Sequence, residues 1–206
     1  MKKNVLGAIT LSLLVTSAAY AAPMTSMDKG TGKVDASFSF GPYFQAEEAG
    51  YALNLDGDTS NRLGATYGLG NNLGIDYKYV SHTGNVFNTS LQSNQLNLMY
   101  QVTPNVAAFA GYVNNRIKNN NGEASTSGYQ VGVLGRTEIA KRTSAWASIG
   151  VGNVITAYEV GVGYDLTHNF DLNLFYNDTK YKGFSDYGNN LSANTHSVNL
   201  GVTYHF

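Results

Sequence analysis

The segment that decides the fold is Tyr164–Tyr176, which reads YDLTHNFDLNLFY. Apolar and polar residues alternate on both sides of a short turn-forming group, which is the pattern of a β-hairpin with one apolar face. Tyr67–Tyr79 (YGLGNNLGIDYKY) and Tyr100–Tyr112 (YQVTPNVAAFAGY) repeat this layout over the same number of residues. Each copy carries an asparagine at the same place in the turn, so one hairpin unit recurs along the chain.

Alternation of the same kind covers most of the chain beyond these hairpins. It predicts ten strands, at residues 33–42, 61–69, 73–80, 95–102, 105–114, 128–138, 143–152, 154–165, 168–178 and 195–206. An even number of antiparallel strands leaves both chain ends on one side of a closed sheet. A count of eight stays open, because the first long connection and the 143–165 hairpin allow another assignment.

The connections between the predicted strands differ on the two sides of the sheet. Those inside the hairpin units are tight turns, whereas four others are long and rich in Asn, Ser, Gly and Asp: 42–60, 81–94, 115–127 and 179–194. Short turns on one side and long loops on the other are typical of a transmembrane β-barrel. We therefore predict an all-β chain that forms a single closed antiparallel transmembrane β-barrel.

The composition excludes several other classes. Charged residues make up 13% of the 206 residues, about half the share usual in a soluble domain. The absence of cysteine excludes a disulfide scaffold and a cysteine-based zinc site, and no motif predicts a metal or another cofactor. The 13 Lys and Arg against 14 Asp and Glu give a formal net charge of −1, so no nucleic-acid partner is expected.

The N-terminus has the layout of a secretory signal peptide. Met1-Lys2-Lys3 is basic, Val5–Ala19 is mostly apolar, and Ala19-Tyr20-Ala21 supplies small residues at a cleavage site. We predict a signal peptide over residues 1–21, a short periplasmic tail over 22–32, and the barrel over 33–206. The chain is thus expected to leave the cytoplasm.

A barrel in lipid must turn its apolar face outward, because its backbone groups are bonded only within the closed sheet. Tyrosines at the ends of the apolar stripes are then expected at the membrane interfaces: Tyr67, Tyr79, Tyr100, Tyr112, Tyr164 and Tyr176. The opposite face supplies candidate lumen-facing charges: Asp76, Lys78, Arg136, Glu138, Glu159, Asp165 and Asp171.

The state of the lumen and the orientation of one residue stay open. Gly132 and Gly161 leave room for larger neighbours such as Phe109 and Phe175, so the lumen is either packed shut or a thin wet passage. Alternation places Trp146 inside the barrel, whereas an aromatic girdle would place it outside.

The last strand, Val198–Phe206 (VNLGVTYHF), ends on phenylalanine with Tyr204 on the same face. It resembles the terminal strand of Gram-negative outer-membrane proteins, which the barrel-assembly machinery recognises. The whole mature chain is similar to small outer-membrane β-barrel proteins of the porin-like and outer membrane protein A/X-like group. This resemblance implies a place in the cell outer membrane among its lipids, with Tyr204 and Phe206 as the assembly signal.

The sequence is compatible with three functions. The first is a non-enzymatic outer-membrane protein that is structural, surface-interacting through its loops with host or cell-surface ligands, or weakly pore-forming. The second is an outer-membrane protease or lipid A-modifying enzyme with a rim active site, for which the candidate residues are His82, His196, Ser197, Asp56, Asp58 and Asp186. The histidines are expected to be solvated, and the adjacent His196 and Ser197 point to opposite faces of a strand. The third is a soluble barrel of the lipocalin type, with its apolar stripes turned inward.

Overall fold

The computed structural model describes residues 26–48, 51–120, 122–186 and 189–206, so the predicted signal peptide lies outside the described residues. Antiparallel strands make up nearly all of this part of the chain. They are β1 (Gly32–Glu48), β2 (Tyr51–Asn54), β3 (Gly57–Gly70), β4 (Leu73–Gly84), β5 (Thr89–Thr103), β6 (Val106–Asn119), β7 (Gly122–Ala140), β8 (Thr143–Gly152), β9 (Ile155–Asp165), β10 (Phe170–Asp186) and β11 (Asn189–His205).

The sheet closes on itself. Each strand pairs with its neighbour in chain order except that β3 pairs with β1, and the first and last strands meet through pairs from Lys33–His205 to Glu48–Leu191. Ten strands form the wall. The short β2 pairs only with the C-terminal end of β1, outside the barrel. The predicted count of ten is confirmed. Within the described residues no helix has the length and apolar character needed to cross a membrane.

The repeated asparagine has one structural role in all three hairpin units. Its backbone carbonyl accepts a hydrogen bond from the next strand of the wall, in the pairs Gln101–Asn72 (2.8 Å), Arg136–Asn105 (2.9 Å) and His205–Asn169 (2.8 Å). In the first unit Asn71 and Asn72 both have positive φ, 54° and 64°. A two-residue turn of type I′ needs that conformation, and asparagine tolerates it better than most residues.

The long connections are where the structure differs most from the prediction. Much of the sequence assigned to loops continues as strand: β1 extends to Glu48, β4 to Gly84, β6 to Asn119 and β10 to Asp186. These extensions pair with one another, for example from Gln45–Asn194 to Glu48–Leu191. The composition did not reveal these extensions, because their outward residues are largely polar. The inward apolar residues that pack together are few and widely spaced in the sequence.

The barrel is apolar outside, and its lumen holds many buried polar side chains. On β11 the outward Val198 and Val202 are 45% and 52% exposed, whereas the inward Asn199 between them is 4% exposed. Most other strands also turn their exposed apolar residues outward, which is opposite to the arrangement of a soluble barrel. The lipocalin-type alternative is therefore wrong.

Candidate functional site

The outer surface of the barrel carries a continuous apolar band. Leu63, Leu98, Val131, Val162 and Leu174 come from five strands and are between 42% and 55% exposed. An exposed apolar surface that surrounds the whole molecule is unfavourable in water, and such surfaces mark contact with lipid or protein.

Tyrosines lie at both edges of this band. Five of the six tyrosines predicted for the membrane interfaces are outward and between 41% and 56% exposed, namely Tyr67, Tyr100, Tyr112, Tyr164 and Tyr176. Tyr79 is half-buried on the same face. Tyr77 donates a hydrogen bond from its hydroxyl to the side chain of Asn94 (2.8 Å), so the polar end of this ring has a partner beyond the apolar band.

Inside the lumen, three charged side chains form an ion cluster. Arg62 Nη2 donates to Glu159 Oε2 at 2.8 Å, and Lys78 Nζ donates to Glu159 Oε1 at 3.2 Å. The Glu159 side chain is only 9% exposed. Arg62 and Lys78 lie on β3 and β4, and Glu159 lies on β9. The ion cluster therefore joins strands that are not neighbours in the sheet.

A layer of uncharged and acidic side chains surrounds the ion cluster. Asp76 accepts hydrogen bonds from Thr66 Oγ1 (2.8 Å) and Asn97 Nδ2 (3.2 Å). Gln130 Nε2 donates to the side-chain oxygens of Asn97 (2.9 Å) and Gln95 (3.1 Å). Buried polar groups are costly unless bonded, so this network holds the side chains across the lumen in one arrangement.

A lumenal cavity of about 90 Å³ remains between these groups. The ion cluster, Asn97, Trp146 and Phe175 are among its lining residues. One side of the cavity is therefore charged and the other is aromatic.

An apolar cluster, here called the inner plug, fills the periplasmic half of the lumen. Its buried members are Met27, Met99, Ala107, Leu134, Trp146 and Phe175, with Phe109 packed against them. Trp146 is 6% exposed, and its ring centroid lies 5.4 Å from that of Phe175. The orientation left open by the sequence is thus decided: Trp146 faces the lumen.

Glycines on the neighbouring strands, in register with Phe109 and Phe175, make space for these rings, as the sequence predicts. A Cβ at Gly132 would lie 2.2 Å from Phe109 Cζ, and a Cβ at Gly161 would lie 2.5 Å from Phe175 Cβ. The aromatic side chains therefore occupy volume that ordinary side chains on β7 and β9 would fill.

A second apolar cluster, the outer plug, closes the opposite end. It contains Phe44, Leu55, Leu91, Val113, Ile117, Val154, Ile155, Tyr181, Phe184 and Ala193, drawn largely from segments predicted as loops or loop ends. Lys182 N–H donates to the carbonyl of Val154 (2.9 Å), so the upper part of β10 is tied to the short connection between β8 and β9. The lumen is thus filled above and below the ion cluster.

The remaining predicted lumen-facing charges lie nearer the periplasmic turns. Asp171 is buried, with its Oδ2 2.5 Å from His205 Nε2, and Asp165 stands beside it in register on β9. Arg136 and Glu138 are half-buried on β7. The structure therefore brings Asp76, Lys78 and Glu159 together around the cavity and places the other four apart from them.

The extracellular end carries an exposed hairpin made by β1 and β2. All four β2 residues are exposed, Tyr51 at 84% and Leu53 at 48%. No described strand pairs with the second edge of β2. On the neighbouring outer surface Lys180 Nζ lies 3.4 Å from Glu47 Oε2, and the His196 ring stacks on Tyr43 with centroids 4.2 Å apart.

The rim residues considered for catalysis do not assemble into one group. His196 faces outward and Ser197 is buried in the lumen, donating to Asn177 Oδ1 at 2.7 Å. His82, expected to be solvated, is 1% exposed, because the strand extensions enclose it beside Phe44, Tyr181 and Thr195. Asp56 and Asp58 belong to the exposed β2–β3 connection and the start of β3, and the side chain of Asp186 lies outside the described residues.

Sequence reasoning missed two residues that shape the lumen. Arg62 precedes the outward Leu63, so alternation alone could have placed it inside with the other charges. Met27 gave no usable signal, because it belongs to the segment assigned to a tail and precedes the first strand.

A closed antiparallel sheet with an apolar outer band, tyrosines at its edges and charges held inside defines an integral β-barrel membrane protein. The family model for the outer membrane protein beta-barrel domain matches residues 9–206, and the chain belongs to that family. It is accordingly an outer-membrane barrel.

Solved structures of other outer-membrane proteins are similar to this chain at low sequence identity. OmpT, an outer membrane protease from Escherichia coli, is 11% identical, with 89% of this chain and 99% of that chain covered and a TM-score of 0.54. Neisserial surface protein A is 17% identical, with 86% and 100% covered and a TM-score of 0.45. Ail, the attachment invasion locus protein of Yersinia pestis, is 14% identical, with 86% and 99% covered and a TM-score of 0.40. No curated protein matches the chain.

Proposed function

We propose that this protein is a non-enzymatic component of the outer membrane that acts through its extracellular surface and does not conduct solutes. One observation carries the proposal: the outer and inner plugs fill both ends of the lumen, and the ion cluster crosses the space between them. Moving an ion through this interior would require breaking buried ion pairs and displacing packed side chains, both of which are costly.

Delivery to the outer membrane of a Gram-negative cell is part of the proposal. Residues 1–21 serve as the signal peptide, and the barrel-assembly machinery recognises the last strand through Tyr204 and Phe206. Both rings are outward, 40% and 55% exposed, where a partner could reach them before the sheet is surrounded by lipid. The tyrosines at the band edges then contact lipid headgroups.

The β1–β2 hairpin is the proposed contact surface. Tyr51 and Leu53 expose apolar area on a strand whose second edge has no described partner. Unpaired strand edges accept extended polypeptides, and exposed aromatic side chains supply anchors for them. A protein of the host or of another cell is therefore the partner class favoured by this surface.

The absence of catalysis is proposed from the rim geometry. His196 and Ser197 are on opposite faces, and His82 is enclosed by apolar and hydroxyl side chains. Within the described residues, no group of three or more His, Asp or Glu side chains could hold a metal ion.

Two measurements test the proposal. Planar bilayers containing the refolded protein should show no stable conductance steps, and steps that change ion selectivity with Glu159→Gln would establish a pore instead. Cells displaying Tyr51→Ser/Leu53→Ser should lose adhesion to immobilised serum and matrix proteins. The matched control is Ile139→Ser, which removes a similarly exposed apolar side chain (58%) at the periplasmic end of β7. Equal adhesion of the double variant and the wild type would refute the role of the hairpin.

A further inference from the structure

The segment just before β1 folds back into the barrel. Residues Asp28–Thr31 form a tight turn in which Thr31 N–H donates to the Asp28 carbonyl (3.2 Å) and Gly30 has a φ of 86°. Glycine is favoured at the third position of such a turn because positive φ costs it nothing. The turn returns Met27 into the lumen, where it is 1% exposed and belongs to the inner plug.

Several backbone hydrogen bonds fix residues 26–31, here called the stopper segment, against the periplasmic end of β3. Gly68 N–H donates to the Thr31 carbonyl (2.8 Å), Gly30 N–H to the Gly68 carbonyl (3.1 Å), and Gly70 N–H to the Met27 carbonyl (3.0 Å). Met27 N–H in turn donates to Gln101 Oε1 at 3.1 Å. The segment thus continues the pairing of the sheet inward, as a bonded part of the barrel.

The wall is shaped to receive this segment. A Cβ at Gly68 would lie 2.2 Å from the Asp28 carbonyl oxygen, and a Cβ at Gly74 would lie 2.3 Å from Met27 Sδ. Gly68 and Gly74 face each other in register on β3 and β4. Any larger residue at either position would occupy the place that the stopper segment now fills.

The lumenal cavity behind the inner plug contains polar atoms without partners. Trp146 Nε1, Asn173 Oδ1 and Ser37 Oγ are buried and make no hydrogen bond to the described residues, and all three residues line the cavity. The cavity volume of about 90 Å³ has room for several waters. Buried polar atoms of this kind are usually bonded to water, so the cavity has the character of a small wet chamber.

We infer that the stopper segment seals this chamber from the periplasm, with Met27 packed into the inner plug, whose members Met99, Trp146 and Phe175 line the chamber. The chamber is then a binding space for small polar molecules that becomes reachable from the periplasm only when the stopper segment leaves its glycine-lined socket. This inference concerns the periplasmic end and is independent of the proposed role of the β1–β2 hairpin.

The only tryptophan of the chain lines the chamber, so its fluorescence reports access directly. In the full mature protein refolded in lipid nanodiscs, acrylamide should quench Trp146 weakly. Met27→Gly should raise the quenching constant several-fold, since it removes the sealing side chain. Gly68→Ala should do the same by pushing the segment out of its socket. Met27→Leu, which preserves volume, and Lys29→Ala, at an exposed site in the same segment, are the matched controls and should quench as the wild type does.

Measurements on the wild-type protein are sufficient to refute the inference. Amide exchange should be slow at Gly30, Gly68 and Gly70, which donate the bonds that hold the segment. Exchange of Gly30 at the rate of a free peptide, together with strong quenching of wild-type Trp146, would show that the segment does not seal the chamber. Equal quenching constants for folded Met27→Gly and Met27→Leu would do so as well.

Discussion

Replacing Glu159 by glutamine is the sharpest test of a closed lumen. The carboxylate is almost fully buried and is the acceptor for both Arg62 and Lys78, at 2.8 and 3.2 Å. Removing one partner of a buried ion pair costs about 3–5 kcal/mol, because the remaining charge has lost its compensation in a poorly solvated place. Asp35 and Asp76 line the same cavity and offset part of the loss, so we expect about 3 kcal/mol for Glu159→Gln.

Urea titration of the mature protein refolded in lipid vesicles measures this cost as a lower midpoint at an unchanged slope. Lys78→Gln is the comparison variant, since Glu159 then keeps its bond to Arg62, and loss of one charged hydrogen bond costs about 1.5–3 kcal/mol. The double variant should cost less than the two single changes added together, by about 0.5–3 kcal/mol, because the residues share one network.

The opposite result has a definite meaning. If the free energy of unfolding of Glu159→Gln lies within about 0.5 kcal/mol of the wild-type value, water screens the ion cluster as it screens surface ion pairs. The lumen would then be open to solvent, and the reasoning that makes the barrel a closed one would be refuted.

Three other changes test the outer face, the packing and the turns by the same titration. Leu98→Arg should cost about 2–4 kcal/mol near the bilayer midplane, and a loss no larger than that of Leu98→Ala would contradict a lipid-facing position. Gly132→Ala should cost about 1–3 kcal/mol, because the new Cβ meets the Phe109 ring. Gly135→Ala, on the same strand with nothing within 4 Å of a Cβ, is its control and should change little. Asn72→Val should cost about 1–2 kcal/mol at a φ of 64°, whereas Asn72→Gly should keep wild-type stability.

The architecture of the wall could be predicted from the sequence. Strand alternation has a period of two residues, so the face of each side chain follows from its neighbours alone. That local rule gave ten strands and the outward side of Leu98, and it put Glu159 inside. The repeated asparagine was also readable, since a tight turn imposes its conformation within a few residues.

The loop predictions failed for a different reason. Residues such as Phe44 and Phe184 are isolated apolar positions in polar segments, too sparse to show a period. They become recognisable only when strands from distant parts of the chain place them in one cluster with Leu91 and Ile117. The extensions of the strands follow from that packing.

The sequence by itself determined which face most residues of the predicted strands occupy, and with it a barrel that lies in lipid, because alternation is a property of adjacent residues. Only the tertiary structure decided what meets across the lumen: Arg62 with Glu159, Trp146 with Phe175, and Met27 with the glycines of β3 and β4. Contacts across a barrel depend on the number, tilt and stagger of all its strands together. No local pattern contains that information, so the plugs and the seal could be recognised only in the folded chain.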